Sequence, residues 1–338
     1  MTVSRRTFVR QASLAAASAG FAVTGIPSIA PGSRPPTAHA QERIRVTTTV
    51  GMIADLVRNT GGDRVEVTAL MGPGIDPHLY KPSANDISTL SDADLIFYGG
   101  LHLEGRMADT FEGIQRSGKP VFAVSDGIPE DRLITLDGAH DPHIWFDVSL
   151  WVLALKEVIT RLGETFPDDA ETFRTNGAAY HTELEALDAY VRDQATRVPE
   201  SQRVLITAHD AFSYFGRAYG FAVRGLQGIS TASEAGAGDV QDLIAFIVER
   251  QIGAIFIESS VSPATIEAVQ EGCRAQDWEV AIGGQLYSDA MGEDGTFEGT
   301  YIGMVTHNID TIVSALLADG TGTSAASPAA GSRTGGRA

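Results

Sequence analysis

Residues 170–191 read AETFRTNGAAYHTELEALDAYV. Ala170, Phe173, Gly177, Tyr180, Leu184, Leu187 and Val191 recur at spacings of three and four. That periodicity places them on one face of a helix sustained over about six turns. Polar and charged residues fill most of the other positions. A helix over 168–196 would be about 40 Å long at 1.5 Å per residue. Its length, and its place between two complete arrays of short elements, favour a strut spanning both arrays over one more helix packed inside either.

Upstream of the strut, short β-branched runs at 44–50, 65–70, 94–98 and 120–124 alternate with helix-like stretches at 52–60, 83–90, 103–115 and 146–162. Downstream the alternation resumes. Strands are expected at 204–207, 222–226, 254–258 and 279–282, and helices at 211–219, 240–249, 263–275 and 299–317. Two such alternations predict an α/β protein of two parallel-sheet lobes. The segments expected are a first lobe over 41–165, a connecting helix over 166–198 and a second lobe over 199–318. The last stretch, 319–338, is rich in Gly, Ser and Ala, cannot bury a core and is expected to be disordered.

The first forty residues read differently. Arg5 and Arg6 stand in SRRTFVR, a weakly apolar Ala-, Ser- and Gly-rich stretch follows, and Ala38-His39-Ala40 forms an A-x-A cleavage pattern. This resembles a twin-arginine export signal, so residues 1–40 are expected to be removed and the mature chain to work in the periplasm. Pro27, Pro31 and the modest hydrophobicity argue against a membrane anchor. Twin-arginine export carries folded proteins, so folding before export is a further expectation. The one cysteine, Cys273, excludes an internal disulfide and a thiolate zinc cluster, and its position gives no lipid-anchor site after the leader. The formal net charge of −18 argues against nucleic acid as a partner, because phosphate binding needs a basic surface.

Eight histidines are present. His39 leaves with the leader. His78 stands in DPHLYKP and His143 in DPHIW, so Asp-Pro-His occurs twice, 65 residues apart. Proline fixes φ and restricts its neighbour, which holds each histidine on a stiff turn. A preceding carboxylate can orient the backbone or the ring. His209 stands in TAHD at the end of a predicted strand, and Asp289 follows the last predicted strand in LYSDAM. Singly each has an ordinary explanation: loop histidines are usually surface groups, and Asp210 beside His209 can simply cap a helix. Together they lie at or beyond strand ends, two from each lobe, where open α/β sheets bind ligands.

At these residues the chain resembles the cluster A-I solute-binding proteins of zinc and manganese ABC importers. The resemblance runs over about 43–317 and rests on 76–82, 141–145, AHDAFSYF at 208–215, GLQGIS at 225–230 and SDAMG at 288–292. It implies two α/β lobes joined by one long rigid helix, with one divalent metal ion bound in the cleft between them. The family's ligands fall on His78, His143, His209 and Asp289. Its partners are a membrane permease and an ATPase, and a monomer is expected. Three imidazoles and a carboxylate suit zinc, and manganese too if Asp289 uses both oxygens or a water joins. Iron ranks below both. The long His-rich loop of many zinc-specific relatives is missing, while many manganese-preferring relatives carry Glu where His209 stands, so the two signals oppose each other.

His140 adjoins the second motif and His102 follows a strand end, so either is a neighbour to weigh. His181 is expected to be partly exposed on the long helix, and His307 packed or capping within the last. A zinc hydrolase built on the same histidines is the alternative function, with Asp210 and Glu258 as the only tempting bases. No H-E-x-x-H, nucleophile elbow or phosphate loop accompanies them. Glu258 otherwise reads as a turn cap. An adhesin is the other alternative, and the leader with its cleavage pattern weighs against it.

Overall fold

Four strands of the first half, Ile44–Thr48 (β1), Val65–Ala69 (β2), Leu95–Tyr98 (β3) and Val121–Ala123 (β4), form one parallel sheet in the order β2-β1-β3-β4. The computed structural model describes residues 42–136 and 138–318. The leader read in 1–40 and the tail read in 319–338 lie outside the described residues. The chain leaves β1 on one side to make β2 and crosses to the other side to make β3. At such a reversal a crevice opens beyond the carboxyl ends of the strands.

The crossovers are the helices Gly51–Gly61 (α1), Ala84–Asp92 (α2) and Ala108–Arg116 (α3). Helix α2 starts where Ser83 and Asp86 bond each other's backbone amides, satisfying two N-terminal donors. Helix α3 begins later than the apolar pattern over 103–115 predicts. Gly100, Leu101 and His102 take φ of +83°, +51° and +65°, and a left-handed run cannot open a right-handed helix. A short hairpin, Thr135–Leu136 (β5) against Ala139–His140 (β6), was not expected from the sequence. It leads into Val148–Thr165 (α4), which Asp147 caps through the amide of Ser149 at 3.0 Å.

Ala170–Thr196 (α5) is the long helix. It buries Phe173, Gly177, Tyr180, Leu184, Leu187 and Val191, the apolar stripe of the sequence without its first member. Its first half bonds the first lobe: Asp169, just before it, pairs with Arg64 at 2.7 Å, Asn176 reaches the carbonyl of Thr60 and Tyr180 donates to Asp55. Its second half bonds elements that follow it. Asp188 accepts from Tyr219 at 2.9 Å, Tyr190 donates to Asp310 at 2.6 Å and Arg192 donates to the carbonyl of Ala218 at 2.9 Å.

The second half comprises Val204–His209 (β7), Ser213–Tyr219 (α6), Ala222–Gln227 (β8), Ala237–Arg250 (α7), Ala254–Glu258 (β9), Ala264–Arg274 (α8), Ala281–Leu286 (β10) and Tyr301–Ala318 (α9). Its strands pair as two parallel ladders, β7 with β8 and β9 with β10, and β7 lies beside β9. At the carboxyl ends of β7 and β9 the amide of His209 is taken by the side chain of Glu258 instead of a backbone carbonyl. Strand β10 runs past its expected end at 282 through Gly283 and Gly284, where the register shifts. A Cβ on Gly283 would come within 2.6 Å of Ala315 and 2.8 Å of Phe256, so the glycine lets α9 and β9 close on the strand.

The main hydrophobic core joins the first sheet, α4, α5 and α9, with Trp151, Phe97, Phe173, Tyr301 and Met304 fully buried. A smaller core of Ile206, Ile247, Ile255, Val269 and Cys273 fills the second lobe. The described residues form one compact unit. The fold is thus a pair of α/β lobes with α5 bonded to both.

Candidate metal centre

His78 lies on the loop after β2. Its amide donates to Asp76 Oδ1 at 2.8 Å, with Pro77 between them, so the turn is closed by a side chain and stiffened by a ring. The other oxygen of Asp76 accepts from Thr231 of the second lobe at 2.5 Å. His143 repeats the turn: its amide donates to Asp141 Oδ1 at 2.9 Å. Here the carboxylate also takes the ring, Nδ1 to Oδ1 at 2.7 Å. The segment is pinned to the second lobe by Tyr214, which donates to the carbonyl of Asp141, and by Trp145, which donates to the carbonyl of Ser288. His209 is the last residue of β7, and its Nδ1 lies 2.6 Å from Glu258 Oε2 at the end of β9. Asp289 stands on the loop after β10.

The four side chains converge. Among the described residues, His78, His143, His209 and Asp289 are the group of ligand atoms lying within 4.8 Å of one another. All four are buried, His143 and His209 with 0% exposure. His143 Nε2 is 3.3 Å from His78 Nε2 and 3.3 Å from His209 Nε2. Asp289 presents Oδ1 to His143 Nε2 at 3.4 Å, and Oδ2 to His209 at 3.3 Å and to His78 at 3.7 Å. Among the described residues neither oxygen of Asp289 has a hydrogen-bond partner, though both are buried.

The hydrogen bonds determine the tautomers. Nδ1 of His143 and of His209 each faces a carboxylate and carries a proton, so when either ring is neutral its Nε2 is the lone pair. With the rings neutral, lone pairs and a carboxylate face one another in a site closed to solvent, and a positive charge at its centre, on protons or on a metal ion, relieves that arrangement. The spacing fits one. Four ligands at about 2.0–2.1 Å around tetrahedral zinc are separated by about 3.3–3.4 Å. The cluster can hold one divalent ion.

Without metal, protons supply the cation. Burial works against charge on His143, but Asp141 and Asp289 outweigh it and push the ring up to about 9. Burial likewise opposes charge on His209, which Glu258 and Asp289 hold well above its ordinary value. Burial lowers His78 to about 3, with only partial relief from Asp289. Burial would raise Asp289, yet the neighbouring His209 and His143 hold it well below the carboxylate range.

The other histidines stay apart. His140 bonds Thr135 at 3.1 Å across the β5–β6 hairpin and does not join the cluster. His102 lines a surface cavity of about 440 Å³ with Tyr98, Phe111 and His140, away from the four. His181 sits 3.7 Å from Glu185 on α5, and His307 lies 3.0 Å from the carbonyl of Gln285. Asp210 accepts from the hydroxyl of Ser213 at 2.8 Å and does not cap α6, whose N-cap position is Phe212. Reading Glu258 as a turn cap does not hold: both its oxygens serve His209. What could have pointed to it is its place at the carboxyl end of a strand beside that of His209. The anchoring roles of Trp145 and Tyr214 also went unread, because their partners are distant in the chain.

Comparison with known proteins places the chain among metal-binding relatives. The sequence profile of the family described as zinc-uptake complex component A periplasmic matches residues 46–315. The zinc-binding protein TroA of Treponema pallidum is 52% identical over 280 residues, which covers 82% of this chain and 91% of the relative. The manganese-binding lipoprotein MntA of Bacillus subtilis is 48% identical over 300 residues, covering 88% and 96%. The manganese ABC transporter substrate-binding lipoprotein PsaA of Streptococcus mitis is 28% identical, covering 82% and 91%. A solved structure of the Treponema pallidum periplasmic zinc binding protein TroA superposes with a TM-score of 0.80 over 81% of this chain and 99% of that one.

Proposed function

Since the chain belongs to the zinc-uptake complex component A periplasmic family, we propose that it captures zinc or manganese outside the cytoplasm and delivers the ion to the permease of an ABC importer. We assign His78, His143, His209 and Asp289 as the ligands. The observation that carries this reading is the set of Nε2 lone pairs and unpartnered Asp289 oxygens, 3.3–3.7 Å apart and sealed from solvent. One divalent cation would satisfy all of them at once.

The donor set suits both metals. Four N and O ligands serve tetrahedral zinc. The two oxygens of Asp289 face different imidazoles, so the carboxylate is disposed to bind through both, which manganese favours. Affinity alone would rank zinc above manganese, and relatives named for each metal are close in sequence.

The family is one of transporter components, not enzymes, and the site agrees with that. A hydrolase needs an open metal position and a base beside the water. Asp289 fills the fourth position, Glu258 is committed to His209, and Asp210 to Ser213. Metal-stripped protein titrated with zinc and manganese in competition should bind one ion per chain and hydrolyse nothing in an enzyme panel. Turnover of any substrate, or no binding of either ion, would remove the reading.

Export is the second part of the proposal. The Arg5-Arg6 pair and the Ala38-His39-Ala40 pattern support a twin-arginine leader and a periplasmic mature protein. Replacing both arginines by lysine should leave the precursor inside the cell. Undiminished export of that variant would exclude the route.

A further inference from the structure

Glu258 makes two bonds to one residue. Its Oε2 lies 2.6 Å from Nδ1 of His209, and its Oε1 accepts the backbone amide of the same residue at 2.9 Å. The glutamate is 2% exposed and ends β9, while His209 ends the neighbouring β7. The pair is 49 residues apart and meets only because the two strands lie side by side.

Asp141 does the same for His143, taking ring and amide with a single oxygen. His78 is supported differently: Asp76 takes its amide, and among the described residues no carboxylate is bonded to its Nδ1. Two of the three imidazoles therefore have their protons fixed on Nδ1 by a buried acceptor, and their Nε2 lone pairs are presented to the centre.

We infer that Glu258 is a positioning residue for metal capture, acting through His209. The inference rests on the reading of His209 as a ligand. Glu258 fixes which nitrogen of His209 carries the proton, sets the ring plane and increases the basicity of Nε2. An amide at 258 offers Nδ1 either a carbonyl oxygen or an NH₂ group. The second choice moves the ring proton to Nε2, where it opposes a cation. Packing alone does not explain the residue, because a buried carboxylate is costly unless its partners use its charge.

The test compares Glu258→Gln, Glu258→Asp and His209→Ala by competitive zinc titration of the full mature chain, with ring ¹⁵N spectra of the zinc-loaded proteins. Glu258→Gln should weaken zinc binding about 10- to 100-fold and displace or broaden the far-downfield Nδ1–H resonance of His209. Glu258→Asp, which keeps the charge, should recover part of the affinity. Wild-type affinity and an unmoved resonance in a folded Glu258→Gln protein would overturn the inference while leaving the site intact, provided His209→Ala abolishes tight binding. Unchanged affinity in His209→Ala would instead overturn the ligand assignment itself.

Discussion

His143 and His209 point their Nε2 atoms at each other across 3.3 Å, although one sits on the turn before α4 and the other ends β7. Two imidazoles so placed repel when both nitrogens are bare and repel when both are charged. A shared cation between them resolves both conflicts, and the account of this protein follows from that.

Replacing His143 by Ala removes a ligand from the middle of the cluster. Zinc affinity should fall by more than about 100-fold, or about 2.7 kcal/mol, with the circular dichroism of the folded protein retained. Unchanged affinity in a calorimetric competition would reject His143 as a ligand.

Metal uptake should release protons. In the metal-free protein Asp141 and Asp289 favour a proton on His143, pushed up to about 9, and Glu258 and Asp289 favour one on the facing His209, held well above its ordinary value. Any proton on Nε2 of either ring must leave for metal to bind. His78, lowered to about 3, and Asp289, held below the carboxylate range, contribute none near neutrality. Affinity should therefore climb with pH from 6 to about 9. Calorimetry at pH 7 in buffers of different ionisation enthalpy should detect the proton release, and none released would contradict this charge assignment.

Gly225 stands opposite Thr207 in the β7–β8 ladder. A Cβ there would come within 2.4 Å of the Asp210 nitrogen and 2.5 Å of the His209 carbonyl carbon. Backbone cannot rotate away, so Gly225→Ala should cost about 1–3 kcal/mol in urea unfolding and also weaken metal binding by shifting His209. Gly228→Ala, whose Cβ meets nothing within 4 Å, should change neither.

Asp169 and Arg64 join the start of α5 to the first lobe by paired bonds of 2.7 and 2.9 Å, with side chains 12% and 20% exposed. Asp169→Asn should destabilise by about 1–3 kcal/mol. Arg64 holds the carboxyl of Asp169 below its ordinary range. Its contribution is therefore complete above the unfolded value of about 3.9 and is lost as pH falls through the folded one. The difference between wild type and variant in urea midpoint should shrink toward pH 3. A difference that grows on acidification would refute the pairing.

Much of this was legible in the sequence because it is periodic or local. The α5 stripe follows from spacing, and Asp-Pro-His encodes a stiff turn at each of two histidines. The four converging side chains stand at or beyond predicted strand ends, and the family resemblance singled them out from the other histidines. What was not legible depends on which strands are neighbours. Glu258 meets His209 because β9 lies beside β7, across an intervening β8 and α7, and no local pattern encodes that adjacency. The β5–β6 hairpin, with two residues per strand, is too short to show alternation. The late start of α3 came from left-handed backbone at Leu101 and His102, residue types that rarely adopt it.

X-ray absorption at the zinc edge of the loaded protein tests the central claim most directly. Four N and O neighbours at about 2.0–2.2 Å, with the outer-shell scattering of three imidazoles, are expected. A first shell of oxygen alone, with no imidazole scattering, would contradict the ligand set.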